Sequence, residues 1–145
     1  QLQTNKVKSV LNYSKWIHTL DRDSLLMELA KRTEQFESRS IKVFIEINLT
    51  DRPDRGGLQP ENLQEFASKV VKNAGLDLVG LMAVARPEVD PRVDFERVSI
   101  IRERFLAEFP AAKLLSMGMS GDYKIALEEG SNMVRIGSLL FGSRN

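Results

Sequence analysis

Residues 41–49 read IKVFIEINL and residues 76–85 read LDLVGLMAVA, and these two segments decide the fold. Both are almost wholly apolar and rich in β-branched residues, which predicts strands that are buried on both faces. Between them the apolar residues recur with a helical period; they are Leu63, Phe66, Ala67, Val70, Val71 and Ala74. We expect Pro60 to begin this helix and Gly75 to end it. Two buried strands joined by an amphipathic helix predict a parallel sheet covered by helices.

The same alternation continues along the chain, without a linker or a low-complexity segment, so residues 1–145 are predicted to form a single α/β domain. The further predicted elements are strands over 16–20, 113–119 and 132–141, and helices over 4–13, 24–36, 91–108 and 121–129, the last ended by Gly130.

Composition excludes several classes of function. The 145 residues include 21 Lys and Arg and 20 Asp and Glu, so the chain has no excess of positive charge that would indicate nucleic acid as a partner. The absence of cysteine excludes a disulfide framework and a thiol nucleophile, and a single histidine excludes a multi-His metal site. No apolar run approaches the ~20 residues of a membrane span. We therefore expect a cytoplasmic protein with no metal, no membrane and no nucleic-acid partner.

Two architectures fit this pattern. An open, doubly wound sheet of five strands suits the length of the chain. A (β/α)8 barrel typically takes ~250 residues, so five strands would be an incomplete barrel. Length favours the open sheet, whereas the candidate binding residues favour the barrel.

The first group of candidate residues lies where the strand over 113–119 passes into a helix. Ser116 and Ser120 offer hydroxyls, Gly118 allows close approach of backbone to a ligand, and the following helix offers unpaired N–H groups. This combination suits an anion, most plausibly a phosphate. The alternative is that Ser120 only caps its helix.

The second group lies in the last strand. Arg135 interrupts an apolar segment, and Gly137 and Ser138 follow it with an approachable backbone and a hydroxyl. A buried arginine needs acceptors for its N–H groups, so the alternative is a structural ion pair with a core carboxylate. Because the two groups fall at the ends of the last two strands, where barrels often bind phosphate, their coincidence indicates a phosphate site.

Four other polar or sulfur-containing side chains are weaker candidates. His18 lies at a strand end and could act as a general base, although a lone histidine is more often structural. Met82 could line a pocket or simply fill the core. Glu46 and Asn48 share one face of their strand and could project into a barrel or be hydrogen-bonded core residues.

Seven segments, spread in order over almost the whole chain, carry a resemblance to a known family; they are QLQTNK (1–6), HTLDR (18–22), IEIN (45–48), GLMA (80–83), SMGMS (116–120), EGSNMVRIGS (129–138) and FG (141–142). Together they resemble the pyridoxal-phosphate homeostasis proteins of the YggS/PROSC type, which are related to the N-terminal barrel of alanine racemase. The resemblance implies a (β/α)8 barrel of which this chain supplies strands four to eight. The family's cofactor-linking lysine, on the first strand, would then lie outside this sequence, and the fold would need the missing N-terminal strands.

The resemblance also implies a function, the binding of pyridoxal 5′-phosphate (PLP) for its intracellular homeostasis without turnover. PLP-dependent apoenzymes would be possible partners. Arg135 would face the pyridine nitrogen and Met82 would line the site; the residues implied around the phosphate are Ser116, Gly118, Ser120, Gly137 and Ser138. Two alternatives stay open: a PLP-dependent racemase-type enzyme and a cofactor-free phosphate-binding α/β module.

Overall fold

A computed structural model describes residues 1–33, 40–50, 52 and 54–142 of the chain. One parallel sheet contains five strands, Trp16–Leu20 (β1), Ile41–Ile47 (β2), Leu76–Ala83 (β3), Leu114–Met119 (β4) and Met133–Arg135 (β5). The helices are Val7–Val10 (α1), Asp23–Thr33 (α2), Leu63–Val71 (α3), Pro91–Glu108 (α4), Tyr123–Glu128 (α5) and Ser138–Phe141 (α6), with 3-10 turns at Thr4–Lys6 and Pro60–Asn62.

The order of the strands distinguishes the two predicted architectures. The sheet runs β1-β2-β3-β4-β5, in chain order, with every neighbouring pair parallel. A doubly wound sheet reverses its strand order at a switch point, and no reversal occurs here. Right-handed crossovers that all progress in one direction place the helices on one face. The preference for an open doubly wound sheet, drawn from length, is therefore wrong, and the fold is a parallel half-barrel.

The hydrophobic core lies between this sheet and its helices. Its buried members alternate along the strands and meet apolar residues of the helices; they include Ile17, Val43, Ile45, Leu81 and Leu115 from the strands, and Leu25, Leu29, Phe66, Val70, Phe95 and Phe105 from the helices. The intervening strand residues face the opposite, inner side of the sheet.

One contact across the inner side shows how strongly the sheet curves. His18 on β1 and Ser116 on β4 are separated by two strands, yet Nδ1 and Oγ lie 3.0 Å apart. Neighbouring strands are spaced ~4.8 Å, so in a flat sheet the two backbones would be about 14 Å apart, beyond the combined reach of the side chains. The sheet therefore curls, and its inner face is concave.

Two predicted elements end differently in the structure. The strand predicted over 132–141 stops at Arg135, because the chain turns at Gly137 and residues 138–141 form α6. The helix predicted to end at Gly75 ends at Val71, and Gly75 instead allows close packing, since a Cβ there would lie 2.2 Å from Thr33. The predicted end of the second helix, at Phe36, lies outside the described residues. Gly130 ends α5 as predicted, with φ +89°.

Among the described residues, no helix is both long enough and apolar enough to cross a membrane. No group of three or more His, Cys, Asp or Glu side chains in the same part of the chain is arranged to hold a metal ion.

Candidate functional site

The concave face carries an apolar patch at its centre. Phe44 and Met82 are almost fully buried and contact Val79, with Leu114 and Met133 packed around them. Met82, which the sequence suggests as a pocket residue, thus belongs to the inner lining of the half-barrel. Gly80, the register partner of Phe44, adds no side chain to this layer.

Arg135 lies at the carboxyl end of β5 and reaches across the ends of two neighbouring strands. Its Nη1 donates to the hydroxyl of Ser116 at 2.7 Å and to the Ser116 carbonyl at 3.0 Å, and its Nη2 donates to the Ala83 carbonyl at 3.0 Å. Burial lowers the pKa of the guanidinium, and the nearby Glu46 opposes that shift. The structural ion pair considered from the sequence is not formed with any described carboxylate. Two N–H groups, at Nε and Nη2, have no described hydrogen-bond partner.

His18 meets the same serine from the other side. Its ring stacks on Phe44 with a centroid separation of 4.3 Å, and its Nδ1 lies 3.0 Å from Ser116 Oγ. Burial and the charge of Arg135 lower the pKa of the imidazole below its usual range. The fully buried Ser116 therefore joins His18 to Arg135, a connection that no spacing in the sequence indicates.

Glu46 adds an acidic group to the concave face. Burial, and then the carboxylate of Asp21, raise the pKa of Glu46, while Arg135 and Arg22 oppose the shift. Its Oε2 is buried without a hydrogen-bond partner among the described residues. Glu46 borders a cavity of about 490 Å³ at the carboxyl ends of β2 and β3.

Asn48 holds the loop at the rim of that cavity by hydrogen bonds. The buried side chain donates to the carbonyls of Arg52 and Arg55 and accepts from the amide and hydroxyl of Thr50. All its polar atoms are thereby occupied, so the hydrogen-bonded core alternative describes Asn48 best.

A second polar group lies at the carboxyl ends of β4 and β5. The hydroxyl of Ser120 accepts from the amides of Gly137 and Leu139, each at 3.3 Å. Ser120 does not cap α5 with its side chain, because Asp122 occupies the N-cap position. Gly137 and Ser138 are exposed, and a Cβ built on Gly137 would meet no atom within 4 Å. One hydroxyl and two backbone amides therefore converge at an open surface.

Two of the predicted phosphate-binding residues lie elsewhere. Ser116 is buried and bonded to Arg135, four residues along the strand from Ser120. Gly118 has φ +88°, and a Cβ there would lie 2.7 Å from Ala126 and 2.9 Å from Tyr123, so packing of α5 accounts for this glycine. The amide of Leu139, by contrast, joins the group and has no signal in the sequence, since any residue supplies a backbone N–H.

Several known proteins resemble this chain in sequence. The family model described as the alanine racemase N-terminal domain matches residues 2–145. The pyridoxal phosphate homeostasis proteins of Aquifex aeolicus (strain VF5) and Escherichia coli (strain K12) are 39% and 35% identical, each over 99% of this chain. The chain spans 64% and 62% of the length of these two relatives.

A solved structure matches as well. PipY of Synechococcus elongatus PCC7942, determined with PLP bound, superposes with a TM-score of 0.87 at 27% identity, covering 98% of this chain and 68% of PipY. Its structure without PLP gives a TM-score of 0.88. These matches confirm the resemblance to the pyridoxal phosphate homeostasis proteins and the α/β half-barrel. The chain belongs to the alanine racemase N-terminal domain family.

Proposed function

We propose that this protein binds PLP for intracellular PLP homeostasis, holding the cofactor by its phosphate at the carboxyl ends of β4 and β5. The observation that carries the proposal is the convergence of the Ser120 hydroxyl with the amides of Gly137 and Leu139. It occurs in a chain that matches, over 98% of its length, a protein solved with PLP bound.

The geometry at Ser120 suits a phosphate. Both amides lie 3.3 Å from the serine oxygen, longer than the ~2.9–3.0 Å of a well-formed N–H···O bond. They can therefore turn to a phosphate oxygen at little cost, and charge-assisted bonds of that kind are about twice as strong as neutral ones. The open space at Gly137 lets the ligand approach the backbone, and the exposed Ser138 hydroxyl is a further donor.

Arg135 would meet the ring of the cofactor. A guanidinium can only donate hydrogen bonds, so it favours a ring nitrogen that is free to accept. PLP acts as an electron sink when its ring nitrogen is protonated, and Arg135 opposes that protonation. This preference supports a carrier rather than an enzyme that runs fast transamination. Ser116 and the Ala83 carbonyl hold the guanidinium, and Met82 forms part of the apolar wall behind it.

We further propose that three strands precede this chain and complete an eight-stranded barrel, so that β1 to β5 are its strands four to eight. β1 and β5 each have one neighbour in the described sheet, which leaves two edges to be joined. About a third of each relative's length lies outside the match, and a (β/α)8 barrel of ~250 residues has about 30 residues in each βα unit. The cofactor-linking lysine would be on the first of these strands. The cytoplasmic location, and the transfer of PLP to apoenzymes, stay predictions.

The test compares PLP with pyridoxal, which lacks the phosphate, by absorbance titration of the full polypeptide. We expect PLP to bind at least about tenfold more tightly, the equivalent of one charged hydrogen bond. The double variant Ser120→Ala, Gly137→Val should lose that advantage, whereas Ser24→Ala, an exposed serine on α2, should keep it. Equal affinity for both ligands in the unsubstituted protein would reject the proposal. Added amino acids should not be racemised.

A further inference from the structure

One hydroxyl group connects the imidazole of His18 to the guanidinium of Arg135. Ser116 Oγ lies 2.7 Å from Arg135 Nη1 and 3.0 Å from His18 Nδ1, and Ser116 has no exposed surface. The path runs from β1 to β5 across the concave face, so it joins the two outermost described strands.

One hydrogen bond in this path has a fixed direction. Arg135 can only donate, so Ser116 Oγ accepts from Nη1. The single proton of the hydroxyl can then be donated to His18 Nδ1, provided that this nitrogen carries no proton. In that arrangement the imidazole is neutral and carries its proton on Nε2. A charged imidazole would present a second cationic donor to the same oxygen, and both burial and Arg135 lower the pKa of His18.

Stacking holds the imidazole in this orientation. Phe44 is fully buried beneath the His18 ring, with the planes inclined by 25°, and Trp16 contacts Phe44 with a centroid separation of 6.1 Å. A neutral ring with Nδ1 occupied and a proton on Nε2 has no nitrogen free to take a proton from a ligand. In this arrangement His18 cannot act as a general base.

We propose that His18 is a positioning residue, which acts through the Ser116 hydroxyl to orient Arg135. It thereby directs toward the ligand the two N–H groups of Arg135 that have no partner among the described residues. The proposal rests on the proposed function only for the identity of the group that Arg135 faces. Without an acceptor at His18 Nδ1, the Ser116 hydroxyl rotates to another acceptor and its lone pairs turn away from Arg135 Nη1. The guanidinium then loses one of the three hydrogen bonds that fix its direction.

The first measurement is the tautomer of His18. The full polypeptide, labelled with ¹⁵N-histidine, is studied by long-range ¹H–¹⁵N NMR without PLP, and His18→Asn identifies the His18 signals. We expect a neutral Nε2–H imidazole at pH 7. In Ser116→Ala the donor to Nδ1 is lost, so the fraction of the Nδ1–H tautomer should rise. A charged ring, or an Nδ1–H tautomer in the unsubstituted protein, would overturn the proposal.

The second measurement follows the exchange with solvent of the Arg135 Nη1 protons, which are hydrogen-bonded to Ser116, again without PLP. Exchange should be about tenfold faster in His18→Leu, the equivalent of losing one hydrogen bond. His18→Asn should restore slow exchange, because the amide oxygen can replace Nδ1 as the acceptor. Equal exchange rates in His18→Leu and the unsubstituted protein would refute a positioning role. If His18→Leu does not fold, the tautomer of His18 in the unsubstituted protein still tests the proposal. Neither readout requires PLP, so a failure of the proposed function would be seen separately.

Discussion

Replacing Arg135 with methionine separates a cofactor-facing arginine from a purely structural one. The change removes three hydrogen bonds of 2.7–3.0 Å, to the Ser116 hydroxyl and to the carbonyls of Ser116 and Ala83. Bonds to a charged donor contribute about 1.5–3 kcal/mol each. The substitution also removes a buried charge that has no described carboxylate partner, and this relief offsets part of the loss. We therefore expect a net destabilisation of about 2–3 kcal/mol.

In a chain of this size that loss lowers Tm by about 5–10 °C, which a thermal melt followed by circular dichroism measures. The control Arg32→Met removes a helical i,i+4 pair with Glu28 and should cost less than about 1 kcal/mol. The absorbance spectrum of bound PLP should change in Arg135→Met alone, because the ring nitrogen loses its donor. An unchanged spectrum with a stability loss of several kcal/mol would refute the cofactor role of Arg135.

Three further predictions test the fold and its electrostatics. Glu46→Gln should raise Tm at pH 7 but not near pH 4. Because the pKa of Glu46 is raised in the folded state, ionisation of the carboxyl lowers the stability of the protein as the pH rises from about 4 to 7, and glutamine does not ionise. An equal gain at both pH values would contradict this. Ser131→Ala should lower the free energy of unfolding by about 1–3 kcal/mol, measured in urea, because the buried hydroxyl accepts from the Met117 amide and contacts carbonyls of β4 and β5; no loss would contradict it. Gly80→Ala should prevent a cooperative urea transition, since its Cβ would lie 1.8 Å from the Leu114 carbonyl oxygen, and native-like unfolding would disprove that packing.

Periodicity was sufficient to predict the layered fold, because strands buried on both faces and amphipathic helices leave direct patterns. It could not predict the strand order, which is set by the pairing of neighbouring strands. Nor could it predict the curvature of the sheet, which is visible in the contact between His18 and Ser116. Residues 138–141 show why the last strand was predicted too long: SLLF is apolar enough for a strand, but the turn at Gly137 makes it a short helix.

The candidate site was predicted in part. Ser120 and Gly137 lie together, as their positions at the ends of the last two strands predict. The same pattern grouped Ser116 with them, because the two serines lie close together in the sequence, although four residues of a strand span about 13 Å. Ser116 belongs with Arg135 and His18 instead. A side-chain contact between β1 and β4 cannot be predicted from the spacing of residues within either strand.

The central claim, that PLP is held by its phosphate at the carboxyl ends of β4 and β5, is tested most directly by titrating ¹⁵N-labelled full polypeptide with PLP and recording the backbone amides. The largest shifts should fall on Gly137, Ser138 and Leu139, and pyridoxal should shift these amides much less. If the largest shifts fall instead on residues lining the cavity at the ends of β2 and β3, such as Asn48 and Thr50, the phosphate is not bound where the structure indicates.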